Sequence, residues 1–146
     1  MKKYQRRRDS DRGMVLVPTD FSSASKKALK HALTLTHDPR RVVVLHVIPP
    51  PLPQTRAELQ SLIKGTRARL VSFSKNGSDH SIESIVATGT PFQEILAAAK
   101  TKNAVLIVLG LDSSDGAELG YTAERVSRYA KCAVLLLREE EATSTG

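Results

Sequence analysis

The chain has 146 residues, a formal net charge of +7, 40% hydrophobic and 25% charged residues, and one cysteine. This length fits a single domain that can bury its core without disulfides or metals, and the lone Cys132 excludes an internal disulfide framework. No apolar run approaches the roughly 18 residues of a membrane span, and the basic N-terminus lacks the apolar core of a secretory signal, so a cytoplasmic setting is expected.

Residues 1–13, MKKYQRRRDSDRG, set six cations against two carboxylates and read as a basic flexible arm. Such an arm can attract nucleic acid or anionic lipid through counterion release. Nothing in it reads bases, so a solvated leader is expected, with neither a nucleic-acid nor a membrane partner. The domain proper is assigned to residues 14–138. Residues 139–146, opening with Glu139, Glu140 and Glu141, read as an acidic flexible tail.

Met14–Pro18 (MVLVP) reads as a buried strand. Ser22 offers an N-cap for a helix to about Thr36, with Ala28, Leu29, Ala32 and Leu33 on one face. Val42–Val47 is a second buried strand. Pro49, Pro50, Pro51 and Pro53 then force an extended crossing. A longer helix over about Thr55–Lys75 aligns Leu59, Leu62, Ile63, Thr66, Leu70 and Phe73, while Arg56, Lys64, Arg67, Arg69 and Lys75 read as its solvated face. Asn76-Gly77 tolerates the left-handed conformation that ends a helix.

Ile82–Ala87 alternates weakly, as an outer strand does. Thr90-Pro91-Phe92-Gln93 combines a capping box with proline at the first helical position, and Ile95, Leu96 and Ala99 face the core to about Thr101. Ala104–Gly110 is the most apolar strand. A last helix over about Leu119–Ala130 turns Leu119, Ala123, Val126 and Ala130 inward, before a final strand at Ala133–Arg138. Continuous apolar strands joined by amphipathic crossovers predict an α/β fold: a doubly wound, open, parallel five-stranded sheet of order 3-2-1-4-5 with helices on both faces. Ligands of such sheets bind at the carboxyl ends of the strands where the order reverses, here Val17-Pro18-Thr19-Asp20 and Leu109-Gly110.

Along residues 14–138 the chain resembles the universal stress protein family. The resemblance rests on five pieces in order: VLVPTDFS, LHV, TGTPFQEIL, VLIVLG and GYTAERVSRYAKCAVLLLR. It implies a dimeric, cytoplasmic, single α/β domain, with ATP or AMP held at the switch point in its nucleotide-binding branch. Carried over, Asp20 is implied to bond ribose or the adenine edge, with Pro18 and Thr19 shaping the wall. Val47 is implied to contact adenine, and Leu109 and Gly110 to admit ribose and phosphates.

The phosphate loop departs from the family's glycine pattern. Ser113 stands where a second glycine belongs, only six residues separate it from Gly120, and Tyr121 replaces the phosphate-capping Ser or Thr, with Thr122 offering a hydroxyl beside it. Asp112 and Asp115 put negative charge where phosphates should lie, with no Lys or Arg in the loop. Two readings stay open. One is a non-catalytic stress-response module acting through dimerisation and an unidentified protein partner; the other is an ATP or AMP binder using a shortened loop, with Mg²⁺ bridged by Asp112 or Asp115. Homodimerisation is expected through the apolar edge strand Ala133–Arg138.

No paired carboxylates or base–nucleophile set points to catalysis, and no enzyme is expected. His46, inside a strand, reads as a hydrogen-bonded core histidine; His31, His37 and His80 are scattered, so no metal site is expected. Cys132 reads as an inert thiol. A receiver domain is excluded because the third strand ends Val86-Ala87-Thr88-Gly89, without an acid. A Walker loop and a dinucleotide fingerprint are absent after the first strand.

Overall fold

The computed structural model describes residues 13–75, 82–112 and 119–139. Five strands, β1 (Met14–Pro18), β2 (Val42–Ile48), β3 (Glu83–Thr88), β4 (Ala104–Leu111) and β5 (Ala133–Arg138), form one sheet of order β3-β2-β1-β4-β5. Every pairing is parallel. The helices are α1 (Ser23–Thr36), α2 (Arg56–Ser74), α3 (Pro91–Thr101) and α4 (Tyr121–Tyr129). The expected doubly wound α/β fold and strand order are the ones observed.

The strand alternation splits the core into two halves. Leu16, Val43, Leu45, Val47, Ile107 and Leu109 face Ile95 and Ala99 of α3 and Ala123 and Val126 of α4. Val15, Val17, Val42, Val44 and Val108 face Ala28, Leu29 and Ala32 of α1 and Leu70 of α2. Leu16, Leu29, Leu45, Leu70 and Ile107 are fully buried. Each such side chain stabilises the fold by roughly 1.5–3 kcal/mol relative to exposure. Burial on both sheet faces explains why β1, β2 and β4 read as near-continuous apolar runs, with His46 the polar exception in β2.

Several local expectations shift. Thr90 is the N-cap of α3, yet its side chain makes no capping bond. Proline at the first helical position, with its φ preset and no N–H to satisfy, starts this helix instead. Leu119 lies outside α4 and is 38% exposed, because Gly120 adopts the extended N-cap conformation and the helix begins at Tyr121. On α2, Leu62 is 40% exposed although the sequence spacing puts it in the apolar stripe. At 100° per residue it sits about 80° around the helix from the buried Leu70, at the rim of the stripe. A short 3-10 turn at Pro39–Arg41, capped by the Asp38 carboxylate, leads into β2 and was not anticipated.

Both ends of the described domain are tied down. The Gly13 carbonyl accepts from Arg41 Nε at 3.1 Å. Glu139 donates its N–H to the Leu111 carbonyl, and its carboxylate accepts the Ser23 hydroxyl at 2.8 Å. The helix end expected at Asn76-Gly77 lies outside the described residues.

Candidate functional site

A cavity of about 450 Å³ opens at the carboxyl ends of β1, β2 and β4. Its wall contains Pro18, Thr19, Asp20, Val47, Leu109, Gly110, Gly120, Tyr121 and Thr122. These are nine of the ten residues singled out in the sequence; the tenth, Ser113, lies outside the described residues, as does Asp115. Segments distant in the chain meet here because β1 pairs with both β2 and β4, and the order reverses beside β1.

The apolar floor is made of Leu45, Val47, Ile95 and Leu109. One rim is the turn from β1 into α1. There Thr19 donates its N–H to the Leu45 carbonyl at 2.8 Å, which extends the β1–β2 ladder past Pro18. The buried hydroxyls of Thr19 and Ser25 share a hydrogen bond of 2.8 Å, and Thr19 Oγ1 also accepts the Phe21 N–H at 2.9 Å. Ser22 caps α1 by accepting the Ser25 N–H at 3.2 Å, as expected.

Asp20 is exposed at this rim. Its Oδ1 accepts the Ser22 N–H at 2.9 Å and the Ser25 hydroxyl at 3.3 Å. The carboxylate therefore closes a turn ahead of the helix. Burial pushes its pKa up, but the bonds from Ser22 and Ser25 outweigh this and hold it below the usual carboxylate value. It stays ionised at neutral pH. Phe21, next in the chain, takes a left-handed φ of 66° that L side chains rarely adopt.

The opposite rim is built from two helix starts. Pro91 opens α3 and Gly120 caps α4 without a side chain to accept its first N–H groups. N–H donors without a side-chain cap and the positive helix end together favour an anion at α4. The Tyr121 ring meets Phe92 edge-on at 5.9 Å between centroids, and the Arg125 guanidinium stacks on Tyr121 at 4.0 Å. Tyr121 thus braces α4 against α3 at the mouth of the cavity.

Gly110 has a role that its position in a loop pattern did not reveal. A β-carbon there would overlap the Ala24 carbonyl and come within 2.8 Å of the Ser25 nitrogen. The glycine lets α1 dock on the end of β4. Sequence reasoning also missed Ser25, Pro49 and Ile95 in the cavity wall. For Ser25 a signal existed, since it stands three residues after a capping serine.

His46 is half-buried, with Nδ1 2.7 Å from the Thr19 carbonyl and its ring 4.5 Å from that of Phe21. Among the described residues, no three His, Cys, Asp or Glu side chains group as a metal site. Cys132 is partly buried, and burial pushes its thiol pKa up, away from the reactive thiolate. No described helix is long and apolar enough to cross a membrane.

Known proteins share this fold. The model of the universal stress protein family matches residues 13–138. A universal stress protein of Methanocaldococcus jannaschii is 30% identical over 138 residues, covering 86% of this chain and 81% of the relative. The universal stress protein UspA of Lactobacillus plantarum superposes with a TM-score of 0.62 at 25% identity, covering 86% and 97% of the two chains. Two solved structures share the fold at lower identity. A universal stress protein in complex with cAMP has a TM-score of 0.63 at 21% identity, covering 86% of this chain and 96% of its own. One from Archaeoglobus fulgidus in complex with dAMP has a TM-score of 0.60 at 22% identity, covering 85% and 96%.

Proposed function

The chain belongs to the universal stress protein family, and from that premise we propose that it is a non-catalytic stress-response module whose switch-point cavity takes an adenine nucleotide. The observation that carries this reading is the cavity itself, in which Pro18, Asp20, Val47, Leu109 and Gly120 converge from four separate segments. Its apolar floor suits a flat base, and the exposed, ionised carboxylate of Asp20 suits a ribose hydroxyl as donor. The α4 N-terminus, capped only by Gly120, offers N–H groups to a phosphate. Fold relatives carrying cAMP and dAMP in their crystals support the same class of ligand.

Titration calorimetry with AMP on the full chain tests the reading. Saturable one-to-one binding that Asp20→Ala weakens is the expected result. Absence of any heat at millimolar AMP and ATP, with and without Mg²⁺, would leave the cavity without this role.

A second feature favours assembly. β5 is an outer strand with the apolar sequence AVLLLR, and among the described residues its backbone edge away from β4 pairs with no other strand. Unpaired edges of this kind invite pairing with another strand. The module is therefore a homodimer through Ala133–Arg138 that presents one composite surface to a protein partner in the cytoplasm. Light scattering across a concentration series should give twice the monomer mass, and a constant monomer mass would remove the proposal.

A further inference from the structure

Helix α2 is long for what it buries. Of Arg56–Ser74 only Leu70 and Ser74 are buried, so the stretch from Arg56 to Arg69 holds no buried residue. An isolated helix of that length is marginal in water, and a packed face is its usual support. Along this stretch Glu58, Ser61, Leu62, Gly65, Thr66 and Arg69 line an open groove. Glu58, Leu62, Gly65 and Arg69 follow one another at steps of four, three and four residues, the seam spacing of paired helices. Leu62 stands 40% exposed on that seam. Gly65 leaves a gap beside it, although glycine weakens a helix and a β-carbon there would meet nothing within 4 Å. Its own fold therefore does not call for this glycine. We infer that α2 pairs antiparallel with α2 of a second copy of this chain, about a two-fold axis at the level of Ile63 and Lys64.

The seam is self-complementary. Glu58 and Arg69 lie equally far from the axis on either side, as do Leu62 and Gly65. In an antiparallel pair Glu58 meets Arg69 of the second copy at each end, and Leu62 enters the gap left by Gly65 of the second copy. Ser61 and Thr66 flank the seam and are small enough to let the backbones approach. Within one chain Glu58 and Arg69 are about 16 Å apart along the helix axis, too far to pair with each other. The Arg69 guanidinium stacks on Phe21 at 4.0 Å, which fixes its plane and leaves its edge donors to a carboxylate. Exposed ion pairs add little binding energy, so burial of Leu62 holds the pair and the charges set its direction. A parallel pair would set Glu58 against Glu58 and Arg69 against Arg69. Helix α2 packs on β3 and β2, at the sheet edge opposite β5, so this contact and the β5 contact occupy separate surfaces.

Sedimentation equilibrium of the full chain, from micromolar to near-millimolar concentration, tests the pairing. Gly65→Gln fills the gap at an open helical position. It should keep or raise the melting temperature while weakening association by about tenfold or more. The largest species of this variant should have half the parent's mass or less. Glu58→Arg and Arg69→Glu should each lose the association, with the far-ultraviolet spectrum as the folding control. Their equimolar mixture should restore it, because only the mixed pair matches charge at both ends. An unchanged mass for Gly65→Gln, or a mixture no heavier than its separate components, would overturn the self-pairing and leave the groove to an occupant other than this chain. The β5 contact is read separately, by the mass that remains in Gly65→Gln: a dimer where β5 pairs, a monomer where it does not.

Discussion

Gly110 at the end of β4 lies directly against Ala24 in the first turn of α1, with no room for a side chain between them. Its φ is not in the left-handed region, so the requirement here is space rather than backbone freedom. The same packing logic places a glycine where helix and strand must touch in dinucleotide-binding folds.

Gly110→Ala should therefore destabilise the fold by about 1–3 kcal/mol through overpacking against backbone that cannot rotate away. A lower urea midpoint with an unchanged slope is the expected signature. An unchanged midpoint would mean that α1 can move off the strand, and the close contact would then have no structural weight.

Phe21 offers a test of strain against packing. Its φ of 66° carries a cost of roughly 1–2 kcal/mol for a residue with a β-carbon. Its ring lies 4.5 Å from that of His46 and 5.7 Å from that of Phe73, and the Arg69 guanidinium stacks on it at 4.0 Å. Losing such packing costs about 3 kcal/mol, which exceeds the relief of strain. Phe21→Gly should be less stable than the parent. It should nonetheless be more stable than Phe21→Ala by about 1 kcal/mol, because only glycine relaxes the backbone. Thermal melts of the two variants decide the order.

The buried Thr19–Ser25 hydroxyl pair links the end of β1 to the first turn of α1. Ser25→Ala should cost about 1–3 kcal/mol, since it leaves a buried hydroxyl short of a partner. A double-mutant cycle with Thr19→Val should yield a coupling of about 0.5–1.5 kcal/mol. Strict additivity would show that the pair acts as two separate contacts.

Asp20 predicts a specific acid sensitivity. Its folded pKa lies below the unfolded value, so it contributes stability above about pH 4 that is lost as the pH falls through the folded pKa. Asp20→Asn keeps an acceptor for the Ser22 N–H but removes the charge. The variant should lose less stability than the parent between about pH 5 and pH 2. Parallel acid curves for the two proteins would count against the hydrogen-bonded carboxylate.

Much of this was legible in the residues themselves. The apolar runs at Met14–Pro18, Val42–Ile48 and Ala104–Leu111 carry their burial in composition alone, because strands covered on both faces tolerate little else. Amphipathic spacing placed Ala28, Leu29 and Ala32 inward on α1. Right-handed crossovers then left few sheet orders to choose from. That order by itself brings Asp20 and Leu109 to one crevice. Helix starts were less legible: Thr90 looked like a side-chain cap and is not, and Leu119 looked helical and is not. Those outcomes turn on single φ and ψ values, which neighbouring residue types bias but do not dictate.

The sequence by itself determined the fold, the family and the end of the sheet at which the site lies, since each follows from local periodicity and connection handedness. Only the tertiary structure decided what the site's residues do to one another. Gly110 is a glycine because of Ala24, Asp20 is held by Ser22 and Ser25, and Phe21 is strained over His46 and Phe73. Such contacts are set by the approach of packed segments to within a few tenths of an ångström. No one-dimensional pattern records that distance.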